Sequence, residues 1–509
     1  MGGGSSIPAP VPGVWDYEDA LMADTEARAV VQTETPAENT APGRTAIYRH
    51  ATFPDKLVHT IEKKTDRMPS RRPSSRFSAE NGGGKKEAGN TFVIGQEHGT
   101  ETIPGCFFSA AKMYPENDCL GWRWQEAGET AGEEGEFHLE YQWLSYDQTS
   151  DRVRHVAAGL SRFFPHGSKI GIYGKNCVDW TVVSLAAYAS GMVVVPLYDT
   201  LGDEAVEYII KDAGVTVLVV GEDKKDMIMP VLAKMAPAAA AGGAADAEAK
   251  GGVESKAGGT PAGAPQIKQV VVMGRDPLED IGYMNPETPQ EDVLAEWRSV
   301  PGIEVCTVKQ LDLVGANWVA KAGTSSEKRQ DIFPEIKPED TAIIMYTSGT
   351  TGVPKGVVLT QGNVMSSVAG ATAVFEFDQE DSHISYLPLA HIFETVVQIA
   401  FLVEGASIGF FSGDIKVLFE DIGVLKPTIF VGVPRVFQRL EQRIQQKIAK
   451  MNKIKRMFIG KPLKEQTARV AQGLPRNPKW DKKVFGKMAE ALGGNCRLML
   501  SGSAPLAAK

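Results

Sequence analysis

Cysteine is scarce in this chain, and the few residues that occur stand apart. Cys106, Cys119, Cys177, Cys306 and Cys496 form no CxxC pair and no zinc spacing. An odd, scattered set excludes a disulfide scaffold and fits a reducing compartment. Positive charge is short as well: 54 Lys and Arg against 63 Asp and Glu leave a net charge of −9. A general nucleic-acid binder would show a basic domain, so nucleic acid is not expected among the partners. No GxGxxG appears, which leaves a dinucleotide fold without support. The first 30 residues hold no apolar run of the secretory type. The uncharged stretch Thr181–Tyr198 approaches a membrane span in length, but Gly191 and Pro196 interrupt it. It reads as a buried helix followed by a buried strand.

What is present is enough for a large globular fold. The 509 residues allow several domains, and 43% apolar with 23% charged residues is an ordinary soluble balance. The apolar run Ala342-Ile343-Ile344-Met345 empties into Tyr346-Thr347-Ser348-Gly349-Thr350-Thr351-Gly352-Val353-Pro354-Lys355-Gly356. Glycines let backbone N–H groups approach phosphate oxygens, Ser and Thr hydroxyls add donors, and Lys355 adds a point charge. A polyanionic phosphate chain needs that combination. The spacing is not that of a Walker A loop, because Pro354 and Gly356 flank the lysine. The segment resembles the phosphate-binding loop of the adenylate-forming (AMP-binding) enzymes.

Around this loop the sequence alternates. Residues 1 to about 105 are rich in Pro, Gly, Ser and charge and read as a largely flexible extension. Packing is expected from Phe107-Phe108, with an alternating strand at Tyr141–Tyr146. Strands are then predicted at Ile170–Tyr173, Val193–Leu197, Val215–Val220 and Val270–Met273. Helices are predicted at Asp179–Ser190, from a capping-box spacing at Thr200–Asp203 to Ala213, and at Lys224–Met235. Strands joined by helix-length crossovers imply a parallel sheet and an α/β fold. The Ala/Gly/Pro tract 236–266 reads as an insertion without apolar anchors. Later strands are expected at Ile384–Leu387, Ser407–Phe411, Thr428–Val431 and Arg497–Leu500. Helices are expected at His391–Val403, Ile415–Leu425 and, as one long polar helix, from Val436 to about Met457. Gly405–Gly409 matches the GxSxG of a serine-hydrolase elbow, which needs a strand before the serine and a helix after it. Here a helix precedes Ser407, so it reads as a strand residue.

The resemblance extends beyond one loop. Ser385-Tyr386-Leu387-Pro388-Leu389-Ala390-His391-Ile392-Phe393-Glu394 is similar to a second core motif of these enzymes, and Ser501–Leu506 to the turn lining their adenine pocket. Val195–Gly202, Glu404–Phe410, and Lys426–Phe430 with Val433-Pro434-Arg435 resemble the long-chain acyl-CoA synthetase branch. The resemblance implies an α/β fold over 106–509: the large N-terminal domain of an adenylate-forming enzyme, with βα-alternating sheets, incomplete at the C-terminus. It implies that a long-chain fatty acid and MgATP give an acyl-adenylate and pyrophosphate, after which coenzyme A displaces AMP. Tyr346, Thr347, Ser348, Gly349, Thr350, Thr351 and Gly352 would then hold the phosphates, with Thr351 beside Mg²⁺ and Lys355 neutralising charge. Gly502, Ser503, Ala504 and Pro505 would form the adenine wall. His391 would lie beside the reacting carboxylate, as an orienting donor or part of the acyl entrance.

Family members also carry a Tyr-Gly-x-Thr/Ser-Glu motif, a ribose-binding aspartate, a hinge arginine and a small C-terminal domain with a catalytic lysine. None follows Leu506 in these 509 residues, so the chain reads as a fragment not expected to complete catalysis by itself. Two alternatives stay open: a ligase for another carboxylic acid, and a protein that binds nucleotide or fatty acid without turnover. From Arg435 to Glu490 there are sixteen Lys/Arg against four Asp/Glu, a segment suited to anionic lipid or to the phosphates of coenzyme A. Met1-Gly2-Gly3-Gly4-Ser5-Ser6 fits the N-myristoylation pattern at Gly2. The expectation is a cytoplasmic protein, peripheral on the endoplasmic reticulum or another organelle.

Overall fold

Parallel strands and crossover helices build two mixed sheets. In the computed structural model the described residues are 101–127, 134–137, 139–198, 202–235, 267–274, 294–322, 333–348, 353–451, 453–472, 474, 477–480 and 484–504. The extension up to residue 100 and the 236–266 tract lie outside them. The chain opens with α1 (Ile103–Met113), β1 (Asp118–Trp122), the ribbon β2 (Gln125–Ala127) and β3 (Glu134–Phe137), β4 (Gln142–Ser145) and α2 (Tyr146–Phe163). It continues with β5 (Lys169–Tyr173), α3 (Val178–Ala189), β6 (Val193–Leu197), α4 (Asp203–Ala213), β7 (Val215–Gly221) and α5 (Lys225–Met235). Next come β8 (Gln269–Met273), β9 (Glu304–Thr307), α6 (Val308–Ala322), β10 (Thr341–Ser348), β11 (Pro354–Thr360) and α7 (Gln361–Val374). The last part holds β12 (Ser382–Ser385), α8 (Ile392–Val403), β13 (Ser407–Phe410), α9 (Leu418–Leu425), β14 (Ile429–Gly432), α10 (Pro434–Ala449), α11 (Lys453–Ala471) and β15 (Leu498–Ser501).

The seven-stranded sheet runs β11-β10-β6-β5-β7-β8-β9 and is parallel except at the edge strand β11. The six-stranded sheet runs β15-β14-β12-β13-β1-β4 and is parallel except at the edge strand β4. Pro196 sits inside β6 without an N–H to give, and the register pair between β6 and β10 is Ile343–Val194. Every residue of α3 except Ser184 is buried, which accounts for the uncharged stretch. Its neighbours in one core include Ile172 and Val194 of the first sheet and Ile384, Ile408 and Phe430 of the second. A second cluster, with Val206, Ile210, Val231 and Leu232, joins α4 and α5 to the seven-stranded sheet. Among the described residues, no helix is long and apolar enough to cross a membrane.

Three local expectations change. Helix α4 starts from Gly202 with no side-chain cap, and Asp203 and Glu204 in its first turn complement the helix dipole instead. The long polar helix is broken: the Met451 N–H bonds to Ile448 O at 3.0 Å, tightening the last turn, and α11 starts afresh at Lys453. Strand β12 ends at Ser385, because Tyr386-Leu387-Pro388 leave the sheet for a turn. Ser407 opens β13 and its hydroxyl donates to Asp381 O at 3.2 Å, as befits a strand residue.

Glu404 caps the C-terminal end of α8, and burial, with Asp378 adding, pushes its carboxyl from 4.5 up to about 7. The folded chain therefore holds a proton that the unfolded chain releases, so this group's contribution falls as pH rises from about 4.5 through 7. The expected loss is on the order of 2 kcal/mol after allowing for residual solvent. Urea midpoints of the wild type and Glu404→Gln, compared at both ends of that window, test this. The wild type should lose stability that the Gln variant keeps; identical pH slopes would contradict the assignment.

Candidate nucleotide and acyl site

The carboxyl end of β12 leads into the Tyr386–His391 turn, which is held by buried polar groups. The His391 N–H bonds to Pro388 O at 2.9 Å, and Thr395 Oγ1 donates to Leu389 O at 3.0 Å. Asn176, in the loop after β5, bonds to Ser385, Leu387 and Leu389. His391 is the N-cap of α8: its Nδ1 accepts the Phe393 N–H at 3.1 Å. That bond assigns the proton of a neutral ring to Nε2, leaving an exposed donor at the mouth of the turn. Three residues on, Glu394 is fully buried and bonds to the equally buried His383 of β12 at 3.1 Å. This pair pins the start of α8 to the strand that precedes the turn.

The second motif arrives from β15. The Gly502 N–H donates to Gly432 O at 3.1 Å, and Ser503 turns in the left-handed region at φ 64°. A Cβ on Gly502 would lie 2.3 Å from Cζ of Phe393, so only glycine lets the ring of α8 seat against this turn. His391 and Gly502-Ser503, 111 residues apart in sequence, are thereby brought to one place. Ser503 and Ala504 are exposed, and Pro505 lies outside the described residues. The chain leading into β15 is clamped by Arg497, whose Nε donates to Asp381 Oδ1 at 2.8 Å and whose Nη2 bonds to the same carboxylate.

The third motif is a β-hairpin. β10 and β11 pair antiparallel, with Ser348 opposite Pro354, Thr347 opposite Lys355 and Tyr346 opposite Gly356. The tip residues Gly349, Thr350, Thr351 and Gly352 lie outside the described residues. Thr347 and Lys355 are both exposed next to that tip, so a lysine eight residues along the chain becomes a cross-strand neighbour. Tyr346 differs from them: it is 4% exposed, and its hydroxyl donates to Asp212 Oδ2 of α4 at 2.5 Å. Burial, then Asp212, pushes its phenol well above the usual range. A Cβ at Gly356 would lie 3.1 Å from the Tyr346 ring, so glycine leaves room for it. Tyr346 thus anchors the hairpin from below.

In open parallel sheets, ligands bind outside the carboxyl ends of strands where successive connections leave in opposite directions. β12 is such a place, with β13 on one side and β14 on the other. The turns after β12 and β15 stand at that edge, and Asn176 joins to it the strand-end edge of the other sheet, where β10 also ends. Among the described residues no group of three or more His, Cys, Asp or Glu could hold a metal ion.

A sequence profile described as AMP-binding enzyme matches residues 124–509. The chain belongs to the AMP-binding enzyme family. Within it, the long chain acyl-CoA synthetase 7, peroxisomal, of Arabidopsis thaliana is 31% identical over 408 residues, covering 80% of this chain and 49% of its own length. Long-chain-fatty-acid–CoA ligase 1 of Cavia porcellus is 34% identical over 377 residues, covering 72% and 46%. The chain thus spans about half the length of the curated relatives it matches. The adenylation domain of a carboxylate reductase from Mycobacterium chelonae shares the fold, with a TM-score of 0.58 at 18% identity over 80% of this chain and 54% of that one.

The sequence did not single out Asn176, His383 or Gln398, and it offered Glu394 only as the end of the second motif. Gln398 carried a signal: it is a lone amide in the apolar helix Ile392–Val403. Replacing Tyr346 by Phe should cost about 1–2 kcal/mol, the value of a part-buried hydrogen bond to a carboxylate. Urea denaturation reads it, and an unchanged midpoint would remove the anchoring role.

Proposed function

We propose that the chain carries the adenylating surface of a long-chain fatty acid–CoA ligase that works through an acyl-adenylate. The observation that supports it most is the seating of Phe393 on Gly502, which joins the His391 turn to the turn after β15. The chemistry follows from charge. A fatty carboxylate attacks the α-phosphorus of ATP, forming the acyl–phosphate bond while pyrophosphate leaves. The coenzyme A thiolate then attacks the acyl carbon and AMP leaves. The first step brings anion to anion, so donors fixed in advance are the main device.

On this reading Thr347, Ser348, Gly349, Thr350, Thr351 and Gly352 meet the phosphates and Lys355 offsets their charge, with Tyr346 as their support. Gly502, Ser503, Ala504 and Pro505 line the adenine, and His391 turns Nε2–H toward the carboxylate. Mg²⁺ would travel with the phosphates beside Thr351; the described residues supply no carboxylate cluster for it, so no step here runs through the ion. Residues 106–509 act as part of the large adenylation domain, with an insertion at 236–266, following the extension 1–105. The long-chain preference is supported by relatives named for long-chain substrates at 31–34% identity. Gly2 myristoylation and the basic segment 435–490 would hold the protein on the cytoplasmic side of a membrane, two weak anchors together sufficing where one is marginal. Unchanged membrane partitioning of Gly2→Ala would remove the acyl anchor.

Calorimetric titration with ATP tests the site. Lys355→Ala should weaken binding about tenfold or more, the range of a charge-assisted contact. Equal affinities for the two proteins would overturn the assignment of Lys355. A series of N-acylsulfamoyl adenosines should bind more tightly as the acyl chain lengthens; a flat series would favour a ligase for a shorter acid.

A further inference from the structure

We infer that Asn176 is a positioning residue for the adenylation site, holding the Leu387–His391 turn in place through its carboxamide. The inference rests on the ligase reading for the identity of the reaction, and on geometry alone for the contact. Asn176 is 7% exposed and belongs to the strand-end loop of the seven-stranded sheet. Its Nδ2 donates to Ser385 Oγ at 2.9 Å and to Leu387 O at 2.6 Å, and its Oδ1 accepts the Leu389 N–H at 3.1 Å. Leu387 and Leu389 flank Pro388, whose carbonyl holds the His391 N–H. Both ends of the turn are therefore tied to one side chain, and His391 follows at once.

The rest of the network leaves that side chain no other orientation. Ser385 Oγ also accepts Gln398 Nε2 at 3.0 Å, and Thr181 Oγ1 donates to Gln398 Oε1 at 3.1 Å. The site needs two donors and one acceptor on a single planar group, which an asparagine supplies. An ionised aspartate has the same shape but would set a carboxylate oxygen against Leu387 O. When protonated, it regains one donor for that carbonyl while still accepting from Leu389. The contact consequently predicts a pH signature that loss of packing alone would not produce.

The experiment compares wild type, Asn176→Asp and Asn176→Ala in the full 509-residue chain at pH 8 and pH 5.5. Hydrogen exchange of peptides covering residues 386–393 is read relative to wild type at each pH. Asn176→Asp should exchange about tenfold faster at pH 8 and return toward wild type at pH 5.5. Asn176→Ala should be equally fast at both. In parallel, Asn176→Asp should lower affinity for N-palmitoylsulfamoyl adenosine about tenfold at pH 8, recovering at pH 5.5. Affinity for AMP should stay within about twofold throughout, because the bonds of Asn176 go to Ser385, Leu387 and Leu389 and not to the described residues of the turn after β15.

The inference is overturned if Asp and Ala variants behave alike at both pH values, if Asn176→Asp matches wild type at pH 8, or if AMP affinity falls in step with the acyl analogue. A wild-type chain that binds neither AMP nor the analogue would overturn the ligase reading instead. The exchange data would then still decide whether Asn176 holds the turn.

Discussion

The buried carboxamide of Asn176 ties the strand ends of one sheet to those of the other. Each sheet, taken alone, presents a row of strand ends; Asn176 bonds the loop after β5 to the turn after β12, across more than 200 residues of sequence. Its neighbourhood is a chain of polar groups with each amide atom paired, from Thr181 through Gln398 and Ser385. Leaving one such buried group unpaired costs about 1–3 kcal/mol, a large fraction of a domain's net stability. The apolar core makes the arrangement stable, while this polar seam decides where the site residues stand.

The same division explains what the amino-acid sequence discloses. Strands β5 to β8 were legible because a parallel strand buried on both faces writes itself as a near-continuous apolar run, as in Val215–Gly221. Helix α3 was legible from the lack of charge after Asp179. The return strand β11 was not: Pro354, Lys355 and Gly356 look like the end of a loop, and Val357 and Val358 face solvent on an edge strand. Helices α2, α6 and α7 also escaped the pattern, although α2 opens on a paired capping box between Ser145 and Gln148.

Site residues divide by how local their chemistry is. On the proposed function the phosphate loop is the most local signal, with its glycines, threonines and lysine inside eleven residues. His391 carries little signal by itself, and its place depends on a helix start, a proline turn and a partner strand. The role of Gly502 depends on Phe393, more than 100 residues earlier. Asn176 could not be picked out at all, since one asparagine in a loop resembles any other until a second sheet is laid against it. Tyr346 shows the converse: it stands inside the motif, yet its side chain serves the scaffold beneath the loop.

On the proposed function, three separate segments form one site where two strand-end edges meet. Hydrogen-exchange mapping of the chain with and without N-palmitoylsulfamoyl adenosine tests it directly. A composite site should give simultaneous protection of peptides covering residues 346–356, 386–393 and 498–504, all saturating at the same ligand concentration. Protection confined to one segment, or segments saturating at different concentrations, would contradict a single composite site.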